Sequence, residues 1–331
     1  MRAMILAGGL STRLYPLTKQ VPKPLVPVAG EPNAVHLLRY LKSYGFDEIA
    51  INVHYLPDMI VQTLGDGSKY GVKLEYLHEN VLLGSAGALE QMKSFFSDEP
   101  FVVVGCDDLT DLPLDKLFAF HKKQNAIATI GLVRRDDVDQ YGVVVTDETG
   151  KITGFQEKPA KGTELSNLVN TGIYAFTPRI FEYIPSGEFY DFGKQVFPSL
   201  VQANEAFYGY DAGTSYWCDI GTPGEYRRAS NDVVTGAFKI PGHPPLTGNT
   251  WIAPDARIDP SATIVGPSVI GVGVEVGANA RVERSIIWQG SRVGQGAVVR
   301  DTIVGMNYTI EPGATLDNAI VANEPDAALS S

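Results

Sequence analysis

The chain is 331 residues long, which at roughly 100–200 residues per domain allows two domains, or one large domain with an appendage. Hydrophobic residues make up 44% and charged residues 20%, ordinary globular usage that excludes a largely disordered or low-complexity chain. Counting 27 Lys plus Arg against 38 Asp plus Glu gives a net charge of −11, which repels nucleic acid and anionic membrane surfaces, so neither is expected as a partner.

The opening apolar run, Met1–Ala7, meets Gly8-Gly9 too soon to form a signal-peptide core. No stretch approaches the roughly 18 uninterrupted apolar residues of a membrane helix. Two cysteines, Cys106 and Cys218, are too few for a disulfide scaffold and match no zinc spacing. Reduced thiols in a cytoplasmic protein are the expectation. The triplet Asn307-Tyr308-Thr309 fits a glycosylation pattern, but without an export signal it reads as chance.

From residue 1 to about 240, strand-length apolar runs alternate with helix-period segments, which predicts a mainly parallel, Rossmann-like sheet covered by helices. Ala3–Leu6, Glu48–Val53, Leu74–Leu77, Phe101–Val104 and Ala128–Val133 read as strands, and Ala34–Tyr44, Ala86–Phe96 and Leu114–Gln124 as helices. Pro241-Gly242-His243-Pro244-Pro245 reads as a linker. Beyond it, apolar anchors recur every six residues: Ile252, Ile258, Ile264, Ile270, Val276 and Val282. The series slips by one and continues through Ile287, Val293, Val299, Val304, Ile310, Leu316 and Val321. Ile270, Ile287, Val304 and Val321 are each 17 apart, so three hexapeptides make one coil. One inward residue per short strand with glycine at the corners is the pattern of a parallel β-helix, here expected to be left-handed, with about four coils over residues 246–322. An antiparallel sandwich would instead alternate with period two. The polar tail 323–331 is expected to fray.

The chemistry-bearing segments begin where the first strand runs into Leu6-Ala7-Gly8-Gly9-Leu10-Ser11-Thr12-Arg13-Leu14. Two glycines at a strand's carboxyl end let backbone amides approach phosphate oxygens, and hydroxyls and an arginine fork can complete the cradle. The loop is neither a Walker loop, having no Gly-Lys-Ser/Thr, nor a dinucleotide fingerprint, lacking the third spaced glycine. By itself a Gly-Gly pair would favour a surface turn. Pro22 and Pro24 bracket Lys23 and hold its neighbours extended. Phe101–Val104 reads as a buried strand delivering Asp107 and Asp108 to the end of the sheet where open α/β folds bind ligands, although an aspartate there can also cap the next segment.

Gly8-Gly9-Leu10-Ser11-Thr12-Arg13-Leu14 with Pro22-Lys23-Pro24-Leu25 resembles the signature of the sugar-phosphate nucleotidyltransferases. Gly84-Ser85-Ala86-Gly87-Ala88, Tyr141–Val144, Phe155–Pro159, Asn170–Tyr174 and Trp217–Pro223 follow in that family's order and spacing. A hexapeptide tail resembles that of several branches, notably the mannose-1-phosphate guanylyltransferases, to which the chain is most similar, and some glucose-1-phosphate enzymes. The resemblance implies attack by a sugar 1-phosphate oxygen on the α-phosphorus of a nucleoside triphosphate. It further implies catalytic roles for Arg13, Lys23, Asp107 and Asp219, with Asp107 and Asp219 holding Mg²⁺; oxygen ligands and phosphate partners favour that ion over zinc. Nucleotide contacts fall to Leu6, Ala7, Gly8, Gly9, Ser11, Thr12, Arg13, Glu79 and Gly84, and sugar-phosphate contacts to Gly142, Glu157, Lys158 and Asn170. Glu79 tilts the base toward guanine, whose adjacent N–H donors suit a carboxylate.

The sequence departs from the family signature at Ser11, where glycine is usual. If that position needs a positive φ, serine carries strain on the order of 1 kcal/mol or more. Cys106 also replaces a usual glycine. Each cysteine precedes a proposed ligand on a strand, so both are expected to face packing. Glucose-1-phosphate thymidylyl-, uridylyl- or adenylyltransfer is the alternative within the family. A non-catalytic nucleotide-sugar-binding regulatory subunit and an acyltransferase are the alternatives outside it. A homo-oligomer, associating through the β-helix, is expected.

Overall fold

The structure, a computed structural model, describes residues 1–96, 98–241, 246 and 248–324. Two compact units emerge: residues 1–9 with 37–217, and residues 10–36 with the chain from Cys218 onward. This division differs from a linear boundary near residue 240. The signature loop and the last helix of the amino-terminal region cluster with the hexapeptide repeats.

The first unit is built on a nine-stranded sheet. Its strands are β1 (Arg2–Leu6), β2 (Glu48–Val53), β3 (Lys73–His78), β4 (Phe101–Gly105), β5 (Ala128–Arg134), β6 (Gly142–Thr146), β7 (Ile152–Glu157), β8 (Leu168–Phe176) and β9 (Phe207–Asp211). The main path runs β7-β6-β8-β4-β1-β2-β3, with β5 paired to β8 and β9. In the half β4-β1-β2-β3 every pairing is parallel. There β1 reads Ala-Met-Ile fully buried and β4 reads Phe-Val-Val-Val fully buried, as strands covered on both faces must be. Around β8 the sheet turns antiparallel, so the whole is a mixed sheet in which the expected parallel portion carries the glycine loop.

Helices α1 (Asn33–Ser43), α2 (Pro57–Leu64) and α3 (Gly84–Gln91) supply the crossovers within the parallel half, and α4 (Leu114–Lys123) follows β4. The expected helix Ala86–Phe96 begins two residues earlier and gives way to a 3₁₀ turn at Lys93–Phe96. One side of the sheet packs an aromatic cluster: Phe101 stacks on Phe96 at 4.3 Å between centroids, and Phe192, Phe197 and Phe207 continue the contact. Burying each such ring contributes about 1.5–3 kcal/mol, so this cluster anchors the segments that return to the glycine-loop end of the sheet.

In the second unit the repeats form three parallel sheets, with strands stepping from coil to coil as Ile252, Ile270, Ile287, Val304 and Val321 do along the first. All thirteen anchors fall on strands. Ile270, Val282, Ile287, Val299 and Val304 are completely buried, whereas Ile252, at the start, is 41% exposed. The architecture is a three-sided parallel β-helix. Helix α5 (Pro223–Thr235), capped by the Thr222 hydroxyl, belongs to this unit. The expected linker at 242–245, with His243, and the tail from 325 onward lie outside the described residues. Residues 323 and 324 are held: Glu324 pairs with Lys19 at 2.8 Å, and the Asn323 amide donates to the Asn307 carbonyl. Among the described residues no helix is long and apolar enough to cross a membrane.

Candidate active site

The predicted site residues divide between the two units, and each group has its own geometry. In the first unit, β1 ends at Leu6 and the chain continues through Ala7, Gly8 and Gly9 along a cavity of about 240 Å³ lined by Leu6, Gly8, Gly9, Glu79, Gly84 and Phe189 among others. That is smaller than a site for a whole drug-sized molecule, roughly 300–1,000 Å³, and suits a single ring system. A side chain on Gly8 would come within 2.7 Å of both the Asn52 amide nitrogen and a Glu79 oxygen. Only glycine lets the loop lie there.

Glu79 is 6% exposed and well anchored. Its Oε2 accepts from Asn52 Nδ2 at 2.6 Å and its Oε1 from the Leu83 amide at 3.3 Å. Asn52, 4% exposed, accepts from the Ala7 amide at 2.8 Å through its Oδ1. The orientation is forced: because Ala7 N–H can only donate, the Asn52 amide must turn its NH₂ toward Glu79. Asn52 was not among the residues expected at the site. Its position as the polar residue in the otherwise apolar run of β2, Ile49-Ala50-Ile51-Asn52-Val53, was the available signal.

Gly84 has φ +76°, and a Cβ there would lie 2.5 Å from the Tyr190 carbonyl oxygen. That carbonyl accepts from the amides of Ala86 and Gly87, and the Ser85 hydroxyl donates to Asp191 at 2.9 Å. The Gly-Ser-Ala-Gly motif therefore docks the first turn of α3 against residues 188–191, which fixes one wall of the cavity.

The predicted sugar-phosphate residues gather on adjacent antiparallel strands. Gly142 and Glu157 are directly opposite one another in the β6–β7 pair, and Asn170 lies on β8, whose Val169 pairs with Val143. Lys158 follows Glu157, exposed and at φ +47°. Between Asn170 and Tyr174 the register of β8 shifts, and Asn170 spans the bulge by accepting from Gly172 N–H at 2.9 Å. Such bulges re-aim side chains at sheet ends.

At the end of β4, Asp107 is half-buried in the turn after Gly105, while Asp108 is 3% exposed. Asp108 accepts from Gly105 N–H at 3.0 Å and from the Trp217 indole at 2.9 Å. The Trp217 ring meets Tyr141 edge-on at 5.1 Å. Asp108 thus holds the turn, leaving Asp107 as its less enclosed carboxylate. Cys106 and Cys218 are both buried. Cys218 lies on a short strand in which Trp217 is buried as well, so alternation by itself does not account for its burial, and Cys106 lies in the turn itself. Burial pushes the Cys218 thiol far above its ordinary range.

In the second unit, Ser11 adopts φ 56°, ψ 34°, the left-handed conformation that its usual glycine would take without strain. The loop then forms the 3₁₀ turn Thr12–Leu14, and the Thr18 hydroxyl closes it by donating to the Ser11 carbonyl at 2.7 Å. Arg13 Nη2 stands 3.6 Å from Asp219 Oδ2, and Lys23 Nζ stands 3.7 Å from Asp219 Oδ1. Gly221 N–H donates to Asp219 at 2.7 Å. A Cβ on Gly221 would fall within 2.5 Å of the Asp219 carboxylate, 2.8 Å of the Arg13 guanidinium and 2.9 Å of the Lys23 ammonium. Three charged groups from sequence-distant motifs converge on a space that only glycine leaves open.

Comparison with known proteins identifies the family. The family model described as nucleotidyl transferase matches residues 2–236. The chain belongs to the nucleotidyl transferase family. A second model, described as the GMPPB C-terminal domain, matches residues 246–327. A UTP–glucose-1-phosphate uridylyltransferase of Synechocystis is 38% identical over 87% of this chain and 83% of its own length. A mannose-1-phosphate guanylyltransferase of Mycobacterium tuberculosis is 33% identical over 86% of this chain and 79% of its own. Among solved structures, HddC from Yersinia pseudotuberculosis superposes with a TM-score of 0.61 at 28% identity, covering 69% of this nucleotidyl transferase and 97% of that chain.

Proposed function

We propose that the protein joins a sugar 1-phosphate to a nucleoside monophosphate unit taken from a nucleoside triphosphate, releasing pyrophosphate, with mannose 1-phosphate and GTP as its substrates. A non-bridging oxygen of the sugar phosphate attacks the α-phosphorus, that P–O bond forms as the bond to pyrophosphate breaks, and the electron pair leaves with pyrophosphate. A phosphate monoester with a second pKa near ~6 is mostly dianionic at neutral pH, so no strong general base is required. Catalysis then reduces to bringing two anions together and neutralising charge.

The observation that carries this reading is the meeting of Arg13, Lys23 and Asp219 around Gly221. Arginine grips triphosphate oxygens as a planar fork, and lysine offers a compact charge to the departing phosphates. Asp107 and Asp219 are hard oxygen donors, the chemistry a Mg²⁺ ion prefers when phosphate oxygens complete its shell; bound there, it would neutralise charge on the triphosphate. Glu79 accepts from the base in the cavity beside Gly8 and Gly9, and Gly142, Glu157, Lys158 and Asn170 receive the sugar phosphate. We place the reaction in the cytoplasm.

Uridylyl transfer to glucose 1-phosphate is the second reading, favoured by the 38% identity to an enzyme of that name. A pyrophosphate-release screen of the four nucleoside triphosphates against mannose, glucose and galactose 1-phosphates, with magnesium, separates the two. Turnover with GTP and mannose 1-phosphate supports the first; no turnover in any pairing defeats both. Asp107→Asn should lower turnover by at least about a hundredfold and leave the melting temperature unchanged, and retained activity would remove that residue from the site. We also propose self-association through the β-helix, which exposes Ile252 and Val272 at 41% and 47%; light scattering that shows only a monomer would refute it.

A further inference from the structure

The β-helix shares a compact unit with the segment that carries Lys23, and the contacts within that unit are specific. After Lys23 the chain forms a small hairpin, pairing Pro27 with Pro32 and Val28 with Glu31 across a turn at Ala29 and Gly30, both at positive φ. Its two ends are held from opposite directions. At the base, the Pro27 carbonyl accepts from the Tyr226 hydroxyl of α5 at 2.7 Å. That hydroxyl in turn accepts from the Trp288 indole N–H at 2.9 Å, and the rings meet edge-on at 6.1 Å. At the tip, Trp251 lies so close to Gly30 that a Cβ there would come 1.9 Å from the indole ring. Tyr226 is fully buried and Trp288 is 2% exposed, so each of these polar groups has its partner away from solvent.

We infer that two aromatic side chains of the β-helix serve the catalytic site: Trp288 and Trp251, acting through Tyr226 and the hairpin, are positioning residues that hold the Lys23 ammonium beside Asp219. The inference rests on the role proposed for Lys23. Pro27 is four residues from Lys23 along a chain stiffened by Pro22, Pro24 and a 3₁₀ turn, so a displacement at the hairpin base is transmitted rather than absorbed. The indole N–H and the carbonyl compete for nothing else: one donates, the other accepts, and the tyrosine hydroxyl is the only group of the three able to do both. Phenylalanine at 226 keeps the ring and breaks both bonds.

The test uses the full chain, with the wild type first shown to turn over a substrate pair in the screen above. Tyr226→Phe should lower kcat roughly tenfold to a hundredfold, the order expected for misplacing a charged group by about 1 Å, while the preference among nucleotides stays as in the wild type. Trp288→Phe removes the indole donor together with part of the buried ring, leaves the Tyr226 bond to Pro27 in place, and should show a smaller fall of the same kind. The control is Val299→Ala, which empties a fully buried position of the β-helix core, chosen because it destabilises without touching the hairpin; its kcat should match the wild type at a temperature where all variants are folded. A kcat within twofold of wild type in both aromatic variants overturns the inference, as does an equal loss in Val299→Ala, which would mark the effect as one of stability. An inactive wild type defeats the reading of the site itself and the inference with it.

Discussion

At the scale of single residues, the base-selecting role proposed for Glu79 rests on the hydrogen-bond logic around it. Both of its oxygens already accept from donors, Asn52 Nδ2 and Leu83 N–H. A carboxylate offers about four acceptor sites and no donor, so what remains for a ligand is acceptance alone. Guanine presents N1–H and N2–H₂ side by side; uracil presents one N–H between two carbonyls. Glu79→Gln replaces one acceptor with a donor that must then face either Asn52 or Leu83, both donors themselves. The expected result is a fall in kcat/KM for GTP of about tenfold to a hundredfold, equivalent to the roughly 1.5–3 kcal/mol of a charge-assisted hydrogen bond, with a smaller fall for UTP. A GTP-to-UTP ratio that does not move would show that the backbone, not Glu79, reads the base. Ser11 teaches a different lesson at the same scale. Its left-handed backbone costs on the order of 1 kcal/mol, and the Thr18 hydroxyl on its carbonyl and the 3₁₀ turn that follows supply compensating contacts.

Among the elements, the β6–β7 hairpin makes a close demand on one glycine. Gly142 faces Glu157 in register, and a Cβ at 142 would sit 2.7 Å from the Phe155 ring and 3.4 Å from the Glu157 carboxylate. Gly142→Ala must push the ring or the carboxylate aside, so the KM for sugar 1-phosphate should rise about tenfold while that for the nucleoside triphosphate stays put. Equal changes in both, followed by initial-rate kinetics, would place Gly142 in general folding rather than sugar binding. This hairpin, with β8 and β9, was also the part of the sheet that periodicity did not reveal. The parallel strands announce themselves as continuous apolar runs because both faces are covered, as in Phe101–Val104. The antiparallel strands carry glycines at a bulge and at the site, as at Gly154 and Gly172, and these dilute the alternation. The β-helix was legible to the residue, since each short strand has one inward position and the coil fixes its spacing. Asp108 and Asn52 were less legible, because whether a carboxylate or an amide faces a ligand or a tryptophan depends on partners far along the chain.

For the molecule as a whole, the compact units and the family motifs partition the chain differently. In the first unit His121 is buried to 1% exposure against α4's own sheet, with Nδ1 2.9 Å from the Thr129 hydroxyl. Burial, with a smaller contribution from Lys122, lowers its pKa from 6.5 to about 4. A histidine whose folded value is depressed binds its proton more weakly in the native state, so the unfolded chain takes up protons first as pH falls through 6.5. Stability is therefore intact above that value and is lost progressively toward 4. The carboxylates held low by their neighbours, such as Asp47, Asp301 and Glu205, start from ordinary values of 3.8 to 4.5 and contribute their loss mainly below that range. Over the interval from pH 6.5 to 4.5 linkage puts the share of His121 at about 2 kcal/mol. Urea unfolding at the two pH values should show that loss in the wild type, and His121→Gln, which cannot titrate, should shrink it by most of that amount. If the variant and the wild type lose stability in parallel, the imidazole is not what the unfolded chain protonates.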